Sequence, residues 1–284
     1  MPPAENNAGR GKALESEIIK FFGFKEQPFS TSPNPRFLYL SDQHQSILAK
    51  LMYSIAGRQG LSLVIGDIGS GKTTLARHLY DNYRDGEHEK AIYMTNPSYN
   101  SAMQLLKAIS GEFEIEAKRS KLEQMEAFQG ELIKYYKEKK NVILIIDEAQ
   151  LLIGQHFELI RQFLNFETNQ EKLLQIIMFA QIEIRNKLKL KKAVQSRIIT
   201  TSHLDSFDFP TLKEMINFRC TVAGLKNAEI FTDDAFHEIY DYSKGRPRAA
   251  IRLCHNALPY GFINQRKIID LDILREVESK DVYA

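Results

Sequence analysis

The feature that most constrains this chain is the run Gly66-Asp67-Ile68-Gly69-Ser70-Gly71-Lys72-Thr73, set between an apolar segment and a helix-like one. It fits G-x-x-x-x-G-K-[ST], a pattern that cradles phosphates when a buried strand leads into it and a helix leads out. Residues 61–65 (Leu-Ser-Leu-Val-Ile) read as that strand and residues 74–80 as that helix. Gly66, Gly69 and Gly71 let the backbone bend so that consecutive N–H groups converge on phosphate oxygens at a helix N-terminus. Lys72 then reaches the β- and γ-phosphates of ATP, and the Thr73 hydroxyl coordinates Mg²⁺. Thr74 completes the expected nucleotide-binding stretch.

A second element agrees with the first. Residues 141–150, Asn-Val-Ile-Leu-Ile-Ile-Asp-Glu-Ala-Gln, form an apolar, β-branched run that ends in two carboxylates. A run apolar on both faces suits the centre of a parallel sheet. Asp147 at its end is placed to hold the Mg²⁺ bound by Thr73. Glu148, one residue further, is placed to orient or deprotonate an attacking water.

The rest of the chain fits around these motifs. With 284 residues and 43% apolar content it can bury a sizeable core. A formal charge of +2 argues neither for nor against nucleic acid, so any such reading rests on local clusters. Cys220 and Cys254 lack C-x-x-C spacing and read as small buried residues of a reducing compartment. No run is long enough for a membrane span, and the N-terminus lacks a signal-peptide stretch, which makes a cytoplasmic location the expectation. Residues 1–12 carry Pro2, Pro3, Gly9 and Gly11 and read as a mobile tail. A helix is expected over 42–56 with Ser41 as its cap. Further strands are expected at 91–95, 173–180 and 198–203, with helices between them. From Pro210 onward only helical patterns remain. The reading is α/β: a doubly wound parallel sheet domain over 13–208, preceded by an aromatic leader, with a small all-helical lid over 209–284.

Taken together, the two motifs, the helical tail and the leader resemble the AAA+ ATPases, and more closely the general secretion pathway protein A family. The leader Phe21-Phe22-Gly23-Phe24-Lys25-Glu26-Gln27-Pro28-Phe29-Ser30 and the stretch from Pro33 to Leu40 match that family's opening pattern. Ala180-Gln181-Ile182-Glu183-Ile184 and Gly245-Arg246-Pro247-Arg248 match two later ones. The resemblance implies that Gln181 is the first sensor of the γ-phosphate and Arg248 the second. It implies that Asn96 restrains Glu148, and that Arg197 is presented to the nucleotide of a neighbouring subunit, with Arg185 close by in sequence as the alternative. Ala180 stands where the family has glycine.

Secretion-type members commonly continue into a transmembrane helix and a cell-wall-binding region, whereas this sequence ends after the lid. The same branch resembles the ATP-dependent regulators of DNA transposition, which assemble on duplex DNA and recruit or activate a transposase. This resemblance implies a homo-oligomer, ring or filament, on duplex DNA. The alternative is an accessory ATPase acting on a secretion-system protein. Candidate DNA contacts are Arg185, Lys187, Lys189, Lys191 and Lys192, then Lys118, Arg119 and Lys121, and the loop from Pro97 to Ser101. Alternating lysines also suit a plain solvated helix face.

Overall fold

The computed structural model describes residues 5–30, 34–226 and 229–280, with side chains from residue 11 onward. The chain divides into two compact units, one spanning 42–205 and the other joining the residues before 42 to those after 205. The first helix, α1 (Glu5–Phe22), belongs to the second of these.

In the 42–205 unit, α2 (Asp42–Ala56) buries Ile47, Leu48, Leu51 and Ile55 on one face and places Asp42 in its first turn, where a carboxylate complements the helix dipole. Next come β1 (Leu61–Gly66), α3 (Lys72–Tyr83), β2 (Glu89–Met94), α4 (Ala102–Gly111) and α5 (Lys121–Lys137). Ser101 caps α4, and Ser120 with Glu123 forms a reciprocal capping box on α5. β3 (Asn141–Ile146), α6 (Gly154–Phe163), β4 (Leu174–Ala180), the short α7 (Ile184–Lys189) and α8 (Lys192–Gln195), and β5 (Ile198–Leu204) complete the unit.

All five strands run parallel in the order β2-β3-β4-β1-β5. β3 and β4 are buried along their whole length, as central strands covered on both faces must be. β5, at one edge, alternates between buried and exposed over its last residues. Helix-borne side chains such as Leu105, Phe128, Phe157 and Phe163 pack with the strand residues Leu63, Leu144 and Ile176 into one core.

The other unit continues with α9 (Phe209–Val222), α10 (Asp233–Ser243), α11 (Pro247–Ile263) and α12 (Leu271–Lys280). They agree with the helical patterns expected from Pro210 onward and form the helical C-terminal region. The leader is where the expectation fails. Ile18, Phe22, Phe24, Phe29 and Phe37 lie in a core with Leu212, Ile216, Phe231 and Leu253, so the leader belongs to the helical unit and not to the sheet unit. The boundary falls after Asp205, and the division at 13–208 and 209–284 is replaced by a discontinuous one. Residues 5–12 of the expected tail are helical, and residues 1–4 lie outside the described residues.

One side chain ties the leader down. The Arg219 guanidinium on α9 donates to the carbonyls of Pro28 at 2.8 Å, Phe37 at 3.1 Å and Ser30 at 3.0 Å, and lies 5.1 Å from the centre of the Phe37 ring. Burial lowers its pKa to about 10, so it stays charged at neutral pH. Arg219→Met keeps the volume but removes the donor from the buried carbonyls of Pro28 and Phe37, each costing about 1–3 kcal/mol, and from the half-buried one of Ser30, against recovered desolvation of the cation. A net loss of about 2–4 kcal/mol is expected in urea unfolding, and a loss below 1 kcal/mol would show that the leader is held by its aromatic packing alone. Cys220 and Cys254 are buried free thiols with pKa values pushed up by burial, Cys220 to about 12, in keeping with small apolar packing residues.

Candidate active site

The parallel sheet gathers the sequence motifs at the C-terminal ends of its strands. Because the order is β3-β4-β1, the segment after β4 lies between the glycine-rich loop after β1 and the carboxylates after β3. This edge is where open α/β sheets bind ligands.

The loop from Gly66 to Gly71 links β1 to α3 with Gly69 at φ 81° and Gly71 at φ 103°, conformations that L-residues rarely adopt. Gly66 is required for a separate reason, since a Cβ there would lie 2.5 Å from the Leu204 carbonyl oxygen on β5. A Cβ on Gly71 would meet His44 Nε2 at 3.2 Å. His44, buried on α2, backs the loop, and burial lowers its pKa to about 4, so it is neutral there. Asp67 and Ile68 are exposed at the crown of the loop, which leaves binding to the backbone.

Lys72 is buried and donates from Nζ to the carbonyls of Gly66 at 2.9 Å and Asp67 at 2.7 Å. Burial pulls its pKa down, opposed by Glu148, Asp147, Asp67 and Glu183. A buried ammonium lodged beside left-handed backbone at a helix N-terminus suits a phosphate chain. Thr73 and Thr74 sit exposed in the first turn of α3.

Asp147 is buried at the end of β3, its backbone N–H bonded to the Met94 carbonyl at 2.9 Å. Its Oδ2 accepts from the Tyr93 hydroxyl at 3.1 Å and its Oδ1 from the Glu148 N–H at 2.9 Å. Burial, then the Asp147 charge, raises the Tyr93 pKa, so the phenol stays a donor. Tyr93 stacks on Tyr80 of α3, with ring centres 5.6 Å apart. Glu148 takes the left-handed conformation, φ 50° and ψ 35°, at the head of a single 3₁₀ turn, Ala149–Leu151. Its Oε2 accepts from Gln150 Nε2 and, at 3.3 Å, from Gln181 Nε2. The Gln181 N–H donates to Gln150 Oε1 at 3.0 Å.

The sequence therefore places Lys72, Asp147, Glu148 and Gln181 at one site, and the structure brings them together. Three other expectations meet different surroundings. The Asn96 carboxamide oxygen accepts from the Ser98 N–H at 3.0 Å, which makes it the start of a turn. Arg197 donates to the Ala193 carbonyl at 2.8 Å and to Asn165 Oδ1 at 3.2 Å, while Arg185 lies 3.0 Å from His203 Nε2. Arg248 is exposed in the first turn of α11, in the helical unit. Lys187 is withdrawn from the basic cluster, because its ammonium donates to the carbonyls of Gln150 and, at 3.0 Å, Leu152. Tyr93, His44 and Gln150 were missed. The first two carry no signal in sequence, whereas Gln150 stood inside the acidic motif without a role.

This fold, with a glycine-rich loop and lysine after β1 and carboxylates after β3, is that of the P-loop class, and residues 55–188 match the family described as AAA domain. The fold is the AAA+ P-loop fold. The protein is similar to general secretion pathway protein A of Aeromonas hydrophila, with 34% identity over 259 residues, covering 89% of this chain and 47% of that protein. The chain thus spans about half the length of that relative. Among solved structures it is similar to Aeropyrum pernix ORC2 in ADPNP–ADP complexes, with TM-score 0.67 and 17% identity over 90% of this chain and 72% of that one. It is also similar to Drosophila ORC bound to DNA, with TM-score 0.65 and 15% identity over 100% of this chain and 69% of that one. At such identities the likeness is one of fold.

Proposed function

We propose that this protein binds and hydrolyses ATP and couples its nucleotide state to assembly of a homo-oligomer, ring or filament, on duplex DNA, in the manner of a transposition regulator that recruits or activates a transposase. The observation that carries the reading is a convergence of charge. Glu158 on α6 has its pKa lowered by its bond to Arg161 and then by Lys121 and Lys191, which come from α5 and from the turn after α7. Lys191 also stands beside the start of α6, its Nζ 3.6 Å from where a Cβ on Gly154 would lie, so basic residues distant in sequence approach this helix. The loop after β2 joins this helix through Gln155, which donates to the Asn100 carbonyl at 2.9 Å. Ser98 and Asn100 are exposed there and suit phosphate contacts, which position a protein without reading sequence.

In this reading ATP lies on the loop from Gly66 to Thr74. Thr73 and Asp147 would hold Mg²⁺, which would supply positive charge against the β- and γ-phosphates. The buried Asp147 carboxylate is a hard oxygen donor of the kind Mg²⁺ takes, and one or two protein ligands suffice because this ion keeps water and phosphate oxygens around it. Glu148 orients water, Gln181 senses the γ-phosphate beside it, Arg248 serves as the second sensor, and Arg197 acts on a neighbouring subunit's nucleotide. Specific ATPase activity should rise with protein concentration if that last role holds, and activity independent of concentration would overturn it.

Fluorescence anisotropy with duplex of arbitrary sequence, ATP and Mg²⁺ tests the DNA reading. Affinity should fall with salt with a slope of about −0.9 per phosphate contact on logarithmic axes. Replacing Lys189, Lys191 and Lys192 by alanine should flatten the slope and weaken all sequences alike. No binding at low salt, with ATPase activity indifferent to added duplex, would overturn it. The second reading, an accessory ATPase for a secretion-system protein, is favoured by the 34% identity to the Aeromonas protein and would then lead.

A further inference from the structure

We infer that Gln150 is the positioning residue for the Glu148 carboxylate, in the part that resemblance alone gave to Asn96. Its side-chain amide is used at both ends. Oε1 takes the backbone N–H of Gln181 at the end of β4, which obliges Nε2 to face Glu148 at the end of β3. The amide therefore bridges the two strand ends across which the water-activating carboxylate must be held. Its own backbone is tied as well, because the Gln150 carbonyl accepts from Lys187 on α7.

The need for such a clamp is visible in the backbone. Glu148 is a non-glycine residue at φ 50°, a strained conformation that persists only where surroundings impose it. Two amides, from Gln150 and Gln181, both fall on Oε2. Their direction leaves Oε1 as the oxygen offered to water. The Asn96 side chain is meanwhile committed to the Ser98 turn. Gln150 touches no reacting atom and acts through Glu148.

Steady-state ATPase kinetics and titration with a non-hydrolysable ATP analogue test this. Gln150→Leu should lower kcat by about 10-fold or more, a share of the roughly 10²–10⁴ that a positioned base supplies, while analogue affinity stays within about twofold. In the Glu148→Gln background the same substitution should cause no further loss, because nothing remains to position. Gln150→Asn retains the polar group one methylene short, and should lower kcat by more than Asn96→Ala does. Equal losses in both backgrounds, weakened analogue binding with unchanged kcat, or a larger effect from Asn96→Ala would each overturn the assignment.

Discussion

Lys72→Ala is expected to lose tight ATP binding while the protein stays folded. The ammonium is buried, and its hydrogen bonds go to the carbonyls of Gly66 and Asp67, within the loop that it closes. Burial already works against its charge, and Glu148, Asp147, Asp67 and Glu183 only partly restore it. A phosphate chain supplies the missing counter-charge at short range. Truncating one partner of such a desolvated pair costs about 2–5 kcal/mol, or roughly 30- to several-thousand-fold in affinity. Isothermal titration with ATP and Mg²⁺, beside a thermal melt to show that the variant folds, measures it. An affinity equal to the wild type's would remove Lys72 from the nucleotide site.

Glu148→Gln is expected to retain ATP binding and to stop turnover. The amide matches the carboxylate in volume and still offers an oxygen to the donors from Gln150 and Gln181, so the loop geometry persists. It cannot accept a proton from water, which forfeits roughly 10²–10⁴ in rate. Single-turnover measurement with labelled ATP separates the two steps. Hydrolysis within threefold of the wild type, with binding intact, would pass the base to another group. Both variants probe the 42–205 unit, so their outcomes do not depend on which client the protein serves.

The phosphate loop and the Asp147-Glu148 strand end were legible from the amino-acid sequence because their chemistry is local. A loop between a strand and a helix must contain glycine where φ is positive, and Gly69 and Gly71 are found there. The buried strands were legible for a related reason. A strand covered on both faces must be apolar throughout, and residues 142–146 and 174–180 are mostly so. The four C-terminal helices could be read from their apolar periodicity and from signals such as Thr232 capping α10 and Pro247 opening α11.

Only the tertiary structure decided what depends on contacts between distant segments. The aromatic leader shows no periodicity that reveals its partner, and it packs in the helical unit against residues such as Leu212 and Leu253, with Arg219, some 190 residues away, reaching back to Pro28 and Ser30. Lys187 reads as one more exposed lysine until two backbone carbonyls are brought within its reach. Gln150 and Gln181 became partners because β3 and β4 are neighbours, an order that no single segment encodes. Local pattern determined which residues can do the chemistry. The order of the strands determined which of them hold one another in place, because a hydrogen bond between segments needs both ends within about 3 Å, and folding alone brings them there.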